Sequence, residues 1–143
     1  LMENVRQTQR VAELIAKQPD ADVVDWIDQL NPDSVYLSVM TIGEIRKGIA
    51  KLPASKRREN LERWLFEDLF VRFHNHILPL DVNVLLAWGQ LTGELAANGI
   101  NLPAIDSLIA ATVLHYRYTL VTRNEADFQH TGITVVNPWK QPH

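Results

Sequence analysis

The chain of 143 residues contains no cysteine, which excludes disulfides and thiolate metal sites outright. That absence fits a reducing cytosol, and a cytoplasmic location is expected. No apolar run approaches the roughly 20 residues that span a bilayer, and no signal peptide is apparent. A membrane is therefore not among the expected partners. A dominant charge is lacking as well: 14 Lys and Arg against 17 Asp and Glu leave a net charge of −3. Such a balance argues against a nonspecific nucleic-acid coat. Internal repeats, low-complexity segments and linkers are absent too. What remains is 46% hydrophobic and 22% charged, ordinary for a soluble domain and long enough to bury a proper core. A single domain over residues 1–143 is expected, with residues 1–10 atypical.

Within those limits, helical and strand patterns alternate. The segment Asp22–Leu30 sets Val23, Ile27 and Leu30 on one helical face, and Asn31-Pro32-Asp33 breaks it. Val35–Ser38 reads as a short strand. Ile42, Ile45, Ile49 and Leu52 then form an apolar stripe ended by Pro53. Ser55 is placed to cap a longer helix through about Phe73, with Leu61, Trp64, Leu65 and Leu69 inward. Ile77–Leu80 reads as a strand, and Asp81 is placed to cap a helix running to Asn98-Gly99. Pro103 suits a first helical position, and Ile105, Leu108, Ile109 and Thr112 recur at i, i+3, i+4 and i+7. Strands at Thr119–Thr122 and Ile133–Val136 complete the order. Strands alternating with helices predict an α/β domain with a mainly parallel central sheet. In such sheets a ligand site lies beyond the carboxyl ends of the strands.

Three acids follow strand or loop ends: Glu44, Asp106 and Asp127. Carboxylates gathered in that way suit hard divalent cations, which take oxygen ligands. Each also has a structural reading. Glu44 lies three residues after Thr41, and Thr-x-x-Glu before an apolar stripe is a capping-box signature. Asp106 would favour the positive end of a helix dipole, yet Ile105, Leu108 and Ile109 surround it. Asn124 and Asp127 are residue types that favour turns. Asp81 is most simply an N-cap, and the His74-Asn75-His76 spacing lacks a third ligand nearby. Seven of the 14 Lys and Arg fall between Arg46 and Arg63, a basic patch close in sequence to Glu44. A patch of that kind attracts phosphates, or is the solvated face of two neighbouring helices.

Taken together, Leu37–Ile45, Asn101–Thr112, Leu120–Phe128 and Ile133–Trp139 resemble the PIN-domain ribonucleases, nearest the VapC/FitB branch of toxin–antitoxin toxins. The resemblance spans about residues 11–139. It implies a three-layer PIN fold and a metal-dependent endoribonuclease in which Glu44, Asp106 and Asp127 bind Mg²⁺ or Mn²⁺. The family often has an acid at the position of Asn124, which here offers a carbonyl oxygen or orients a water; Thr122 adds a hydroxyl. RNA is the implied substrate, and a small DNA-binding antitoxin the implied partner. A homodimer is expected through apolar helix surface involving Trp26, Trp64 or Trp88, with core burial as the other use of those side chains.

The resemblance breaks at the N-terminus. PIN domains open with a buried apolar strand ending in Asp-x-Asn, whose Asp is a principal metal ligand. Here the preferred register puts Gln7 and Gln9 at those places, and only Thr8 matches. A second register uses Glu3-Asn4-Val5 but requires an insertion before Glu13. On the first register the strand and its carboxylate are missing or remodelled, and Gln7→Asp with Gln9→Asn should restore metal affinity. The alternative function is a catalytically impaired binding module that keeps the antitoxin or dimer surface. An aspartyl phosphatase is set aside, because no Asp-x-Asp follows a first strand.

Overall fold

A computed structural model describes residues 10–12, 25, 28, 29, 31, 33, 35–122 and 125–137. Five parallel strands form one sheet in the order β3-β2-β1-β4-β5: β1 Arg10–Ala12, β2 Val35–Ser38, β3 Ile77–Leu78, β4 Thr119–Val121 and β5 Val135–Val136. Parallel neighbours need long crossovers, and among the described residues helices stand in the connections from β2 to β3 and from β3 to β4. These are α1 Val39–Ala50, α2 Lys56–Arg63, α3 Phe70–Arg72, α4 Val82–Ala97 and α5 Ala104–Tyr116. Alternation along β2 sorts the two layers of helices. Val35 and Leu37 pack with Ile45, Ile49, Leu65, Leu69 and Phe73 on one face. Tyr36 packs on the other face with Leu91, Leu95, Ile109 and Val113 from α4 and α5. This is the expected three-layer arrangement, helices on both sides of a parallel sheet.

The first ten residues carry a correction. The expectation of a missing first strand is not met: β1 occupies the centre of the sheet, with Arg10 and Ala12 opposite Val35 and Leu37 on one side and Thr119 and Val121 on the other. Ladder pairing uses only backbone N–H and C=O groups. Without a strand between them, β2 and β4 would leave two rows of such groups unpaired in the interior. The pull toward extended pairing therefore outweighs the poor apolar pattern. The strand's carboxyl end is Ala12, so Gln7 and Gln9, which lie outside the described residues, precede β1 in the chain rather than follow it.

Local signals mostly hold. Ser55 Oγ accepts from the Arg58 N–H at 3.1 Å, and Asp81 Oδ1 from the Val84 N–H at 2.9 Å, so both cap as expected. The helix after Ser55 does reach Arg72, but through a π-helical turn at Trp64–Leu69 that no sequence signal announced. In the expected helix at Asp22–Leu30, the described part shows the Gln29 N–H donating to the Asp25 carbonyl at 3.2 Å. Pro103 stands one place earlier than expected, at the N-cap rather than inside α5.

Trp64 is buried, with its indole N–H on Asp28 Oδ1 at 3.2 Å, and Arg72 reaches the same oxygen at 2.7 Å. Trp88 is half-buried and also spent within the chain. Core packing thus claims Trp64, while Trp88 is held by Ser107 at the half-buried edge of α4, and Trp26 lies outside the described residues. Among the described residues, the large apolar side chains that do face solvent are Val82, Leu85 and Leu86 on α4, with Phe66 and Val71 elsewhere.

A run of aromatic rings lines the sheet's amino half. His76 stacks on Tyr36 at 4.3 Å between centroids, Tyr36 on Tyr118 at 5.2 Å, and Tyr118 on Tyr116 at 5.7 Å. Burial, then the charge and hydrogen bond of Tyr36, then the charge of Tyr116, push the Tyr118 hydroxyl up to about 12. A phenol whose folded pKa is raised from 10 keeps its stabilising effect below pH 10 and loses it between pH 10 and 12. Urea melts across that window should show wild-type stability falling more steeply with pH than that of Tyr118→Phe. Parallel slopes would refute the linkage, since the lysines titrate in both proteins.

Candidate functional site

How the chain enters and leaves the strands sets where each acid stands relative to the sheet's carboxyl edge. β2 ends at Ser38 and α1 begins at Val39 with no loop between them. Ser38 Oγ accepts from the Met40 N–H at 2.9 Å and is the N-cap. Thr41 is buried inside the helix. The capping-box reading of Thr41 and Glu44 is therefore overturned, since the helix starts too early for Glu44 to cap it. Glu44 stands on the second turn, half-buried beside the fully buried Ile45. By the helical rise it lies about 8 Å from the strand end. It has no capping duty to explain its place.

Asp106 reaches the same edge from the opposite direction. α5 ends at Tyr116 and β4 starts at Thr119, so the helix runs antiparallel to the strands. Thirteen residues make a helix of about 20 Å, whereas the three residues of β4 span about 10 Å. The first turn of α5, with half-buried Asp106, thus overhangs the carboxyl edge. That turn is pinned by its neighbour. The buried Ser107 Oγ donates to the Ala104 carbonyl at 2.8 Å and accepts the Trp88 indole N–H at 2.9 Å. The same side chains wall a small cavity of about 190 Å³ together with Thr92, Leu95, Ile100 and Leu102. Sequence reasoning missed Trp88 and Ser107 as the anchor of the Asp106 turn, because no local rule joins residues on two helices.

Asp127 sits on the 3₁₀ turn Glu125–Phe128 that follows β4, and its side chain is exposed. The turn is held by buried Phe128, whose carbonyl accepts the Thr131 hydroxyl at 2.6 Å. Thr122 is buried at the end of β4, with its N–H on the Val136 carbonyl at 3.0 Å. Asn124 lies outside the described residues. Among the described residues, no three Asp, Glu or His side chains are grouped closely enough to hold one metal ion. The histidine pair is no chelate: His76 Nδ1 is 3.2 Å from the Val35 carbonyl and its ring is stacked on Tyr36.

The basic cluster divides in two. Arg46 and Arg58 both approach Glu62, at 3.1 and 3.8 Å, and Arg63 approaches Glu67 at 3.7 Å. Arg46 also lies over the Phe66 ring, 5.7 Å from its centroid. Arg46 thus ties α1 to α2 and the π turn, while Arg58 and Arg63 pair along α2 and its continuation. Lys47, Lys51 and Lys56 are exposed and have no ion-pair partner among the described residues.

The arrangement has known relatives. Residues 8–133 match the PIN domain family. The chain is 30% identical to the VapC ribonuclease Y4jK of Sinorhizobium fredii, over 95% of this chain and 97% of that protein. It is 33% identical to the toxin FitB of Neisseria gonorrhoeae, over 92% and 95%. A solved structure of FitAB bound to an IR36 DNA fragment superposes with a TM-score of 0.80 at 30% identity, covering 94% of this chain and 99% of that one.

Proposed function

Since this chain belongs to the PIN domain family, we propose that it is a metal-dependent endoribonuclease toxin, held in check by a cognate antitoxin. The observation that carries this reading is Asp106 on the pinned first turn of α5, overhanging the carboxyl edge that Glu44 approaches from β2. The relatives' names, VapC ribonuclease and toxin FitB, support the activity, and the FitAB complex supports the partner.

The donor chemistry fits a hard cation. Glu44 and Asp106 are partly exposed carboxylates, and Mg²⁺ is commonly held by one or two carboxylates, with waters and substrate phosphate completing its shell. Glu44 and Asp106 would hold the ion, Asp127 would act through water, and Asn124 would orient a water from its amide. When bound, the cation lowers the pKa of a coordinated water and offsets charge on the phosphate. The protein's own share is placement: the pinned α5 turn fixes Asp106, and buried Ile45 and Ile49 fix the helix that carries Glu44.

The absent Asp-x-Asn motif supports a second reading, a PIN fold that binds partners without cleaving RNA. With β1 ending at Ala12, Gln7→Asp with Gln9→Asn is not expected to restore metal affinity. The next residue in the sequence is Glu13, which lies outside the described residues and is an acid directly after the central strand. Calorimetric titration with Mn²⁺ separates the readings. The nuclease reading expects uptake at micromolar to low millimolar concentration, weakened by Glu13→Gln and unmoved by the Gln7/Gln9 pair. No uptake by the unaltered chain would leave the binding module.

We also propose a homodimer, formed on the exposed α4 face rather than through the buried Trp64. Val82 and Leu86 are 73% and 68% exposed, with Leu85 beside them. Light scattering at tens of micromolar should give twice the chain mass, and Leu86→Lys should halve it. A monomeric mass for the unaltered chain would defeat the proposal.

A further inference from the structure

We infer that the face of α1 bearing Glu44, Lys47 and Lys51 is the track along which a single-stranded RNA backbone leaves the cleavage site, an inference that rests on the nuclease reading above. Three observations carry it. Lys47 and Lys51 stand three and seven positions after Glu44, so helical periodicity puts all three on one side of α1. The two lysines are exposed and lack any ion-pair partner among the described residues, while Arg46, which points toward α2, is held on Glu62. The cluster is therefore not one solvated patch. Arg46 binds α1 to α2, and the lysines on the Glu44 side have no ion-pair partner among the described residues.

The direction follows from the fold. α1 starts at the carboxyl end of β2 and runs back along the sheet, so Lys47 and Lys51 mark successive turns leading away from the acids. The two are about 6 Å apart along the axis. Flexible ammonium side chains spaced by one turn suit successive phosphates of an extended strand and carry no base preference. With a net charge of −3, the protein has no general attraction for polyanions. A local pair of unmatched lysines beside the acids supplies it where cleavage occurs. They are positioning residues and touch no reacting atom.

The test uses the full chain and a fluorescein-labelled single-stranded RNA of mixed sequence, with binding followed by anisotropy in EDTA over a range of KCl. Each phosphate contact on a single strand contributes about 0.7 to the slope of log affinity against log salt. Lys47→Ala with Lys51→Ala should thus reduce the slope by about 1.4, and Lys47→Arg with Lys51→Arg should restore it. Arg46→Ala should leave the slope within about 0.3 of wild type, since that charge is already matched. In cleavage assays the double alanine variant should raise KM several-fold with kcat little changed. An unchanged slope and KM would overturn the track while leaving the nuclease reading intact. Slope loss in a chain that cleaves nothing would keep the track and remove the nuclease reading. Retained RNA affinity with loss of antitoxin binding would reassign the lysines to an acidic protein partner and overturn the inference.

Discussion

Asp106→Asn is expected to lower RNA cleavage more than about 100-fold, because even outer partners of a metal site commonly cost 10–100-fold when removed. The substitution keeps size and hydrogen-bonding reach but removes the negative charge that draws a hard cation. Asp106 stands in the first turn of α5, which the Ser107 and Trp88 hydrogen bonds pin. Folding should accordingly be little affected, and circular dichroism with a thermal melt will show it. Mn²⁺ uptake should fall together with cleavage. Cleavage within about threefold of wild type would discard Asp106 as a site residue, and with it the nuclease assignment.

The largest stability effect is expected at Phe73→Ala. Phe73 is fully buried at the end of α3, packed with Leu37, Ile45 and Leu69 beneath the sheet. Arg72 beside it is tied to Asp28, and its guanidinium also lies over the Phe73 ring, 5.5 Å from its centroid. Removing a buried Phe side chain costs about 3–5 kcal/mol. That is a large share of the roughly 5–15 kcal/mol by which domains are stable. With a urea dependence of about 2 kcal/mol per molar, the midpoint should drop by about 2 M at unchanged slope. A shift below about 0.5 M would show that the site collapses around the lost ring.

Much of this was legible from residues alone. The apolar stripe Ile45–Ile49, the caps Ser55 and Asp81, and the strand Val35–Ser38 are local patterns, and each residue's neighbours in the chain suffice to specify them. Asp106 was legible as out of place, a charge bordering an apolar face, whereas Glu44 stood out only through the family resemblance.

Other features depend on contacts between distant segments. Whether Thr41 or Ser38 caps α1 turned on where β2 stopped pairing with β1 and β3, which no residue near Thr41 encodes. Trp64 offered two uses, and Asp28, far away in the chain, helped decide in favour of the interior. The seven basic residues looked like one patch until Glu62, sixteen positions beyond Arg46, took up Arg46 and Arg58, and Glu67 took up Arg63. The first strand shows the contrast most plainly. Arg10–Ala12 has little apolar pattern of its own, yet β2 and β4 flank it with backbone groups that need partners. The sequence by itself determined most of the helices and the caps at Ser55 and Asp81, and it singled out the acids, because those follow from spacing within a turn or two. Only the tertiary structure decided the central strand, the pinning of Asp106 and the charges left unmatched, because each is settled by what a remote segment has left to pair.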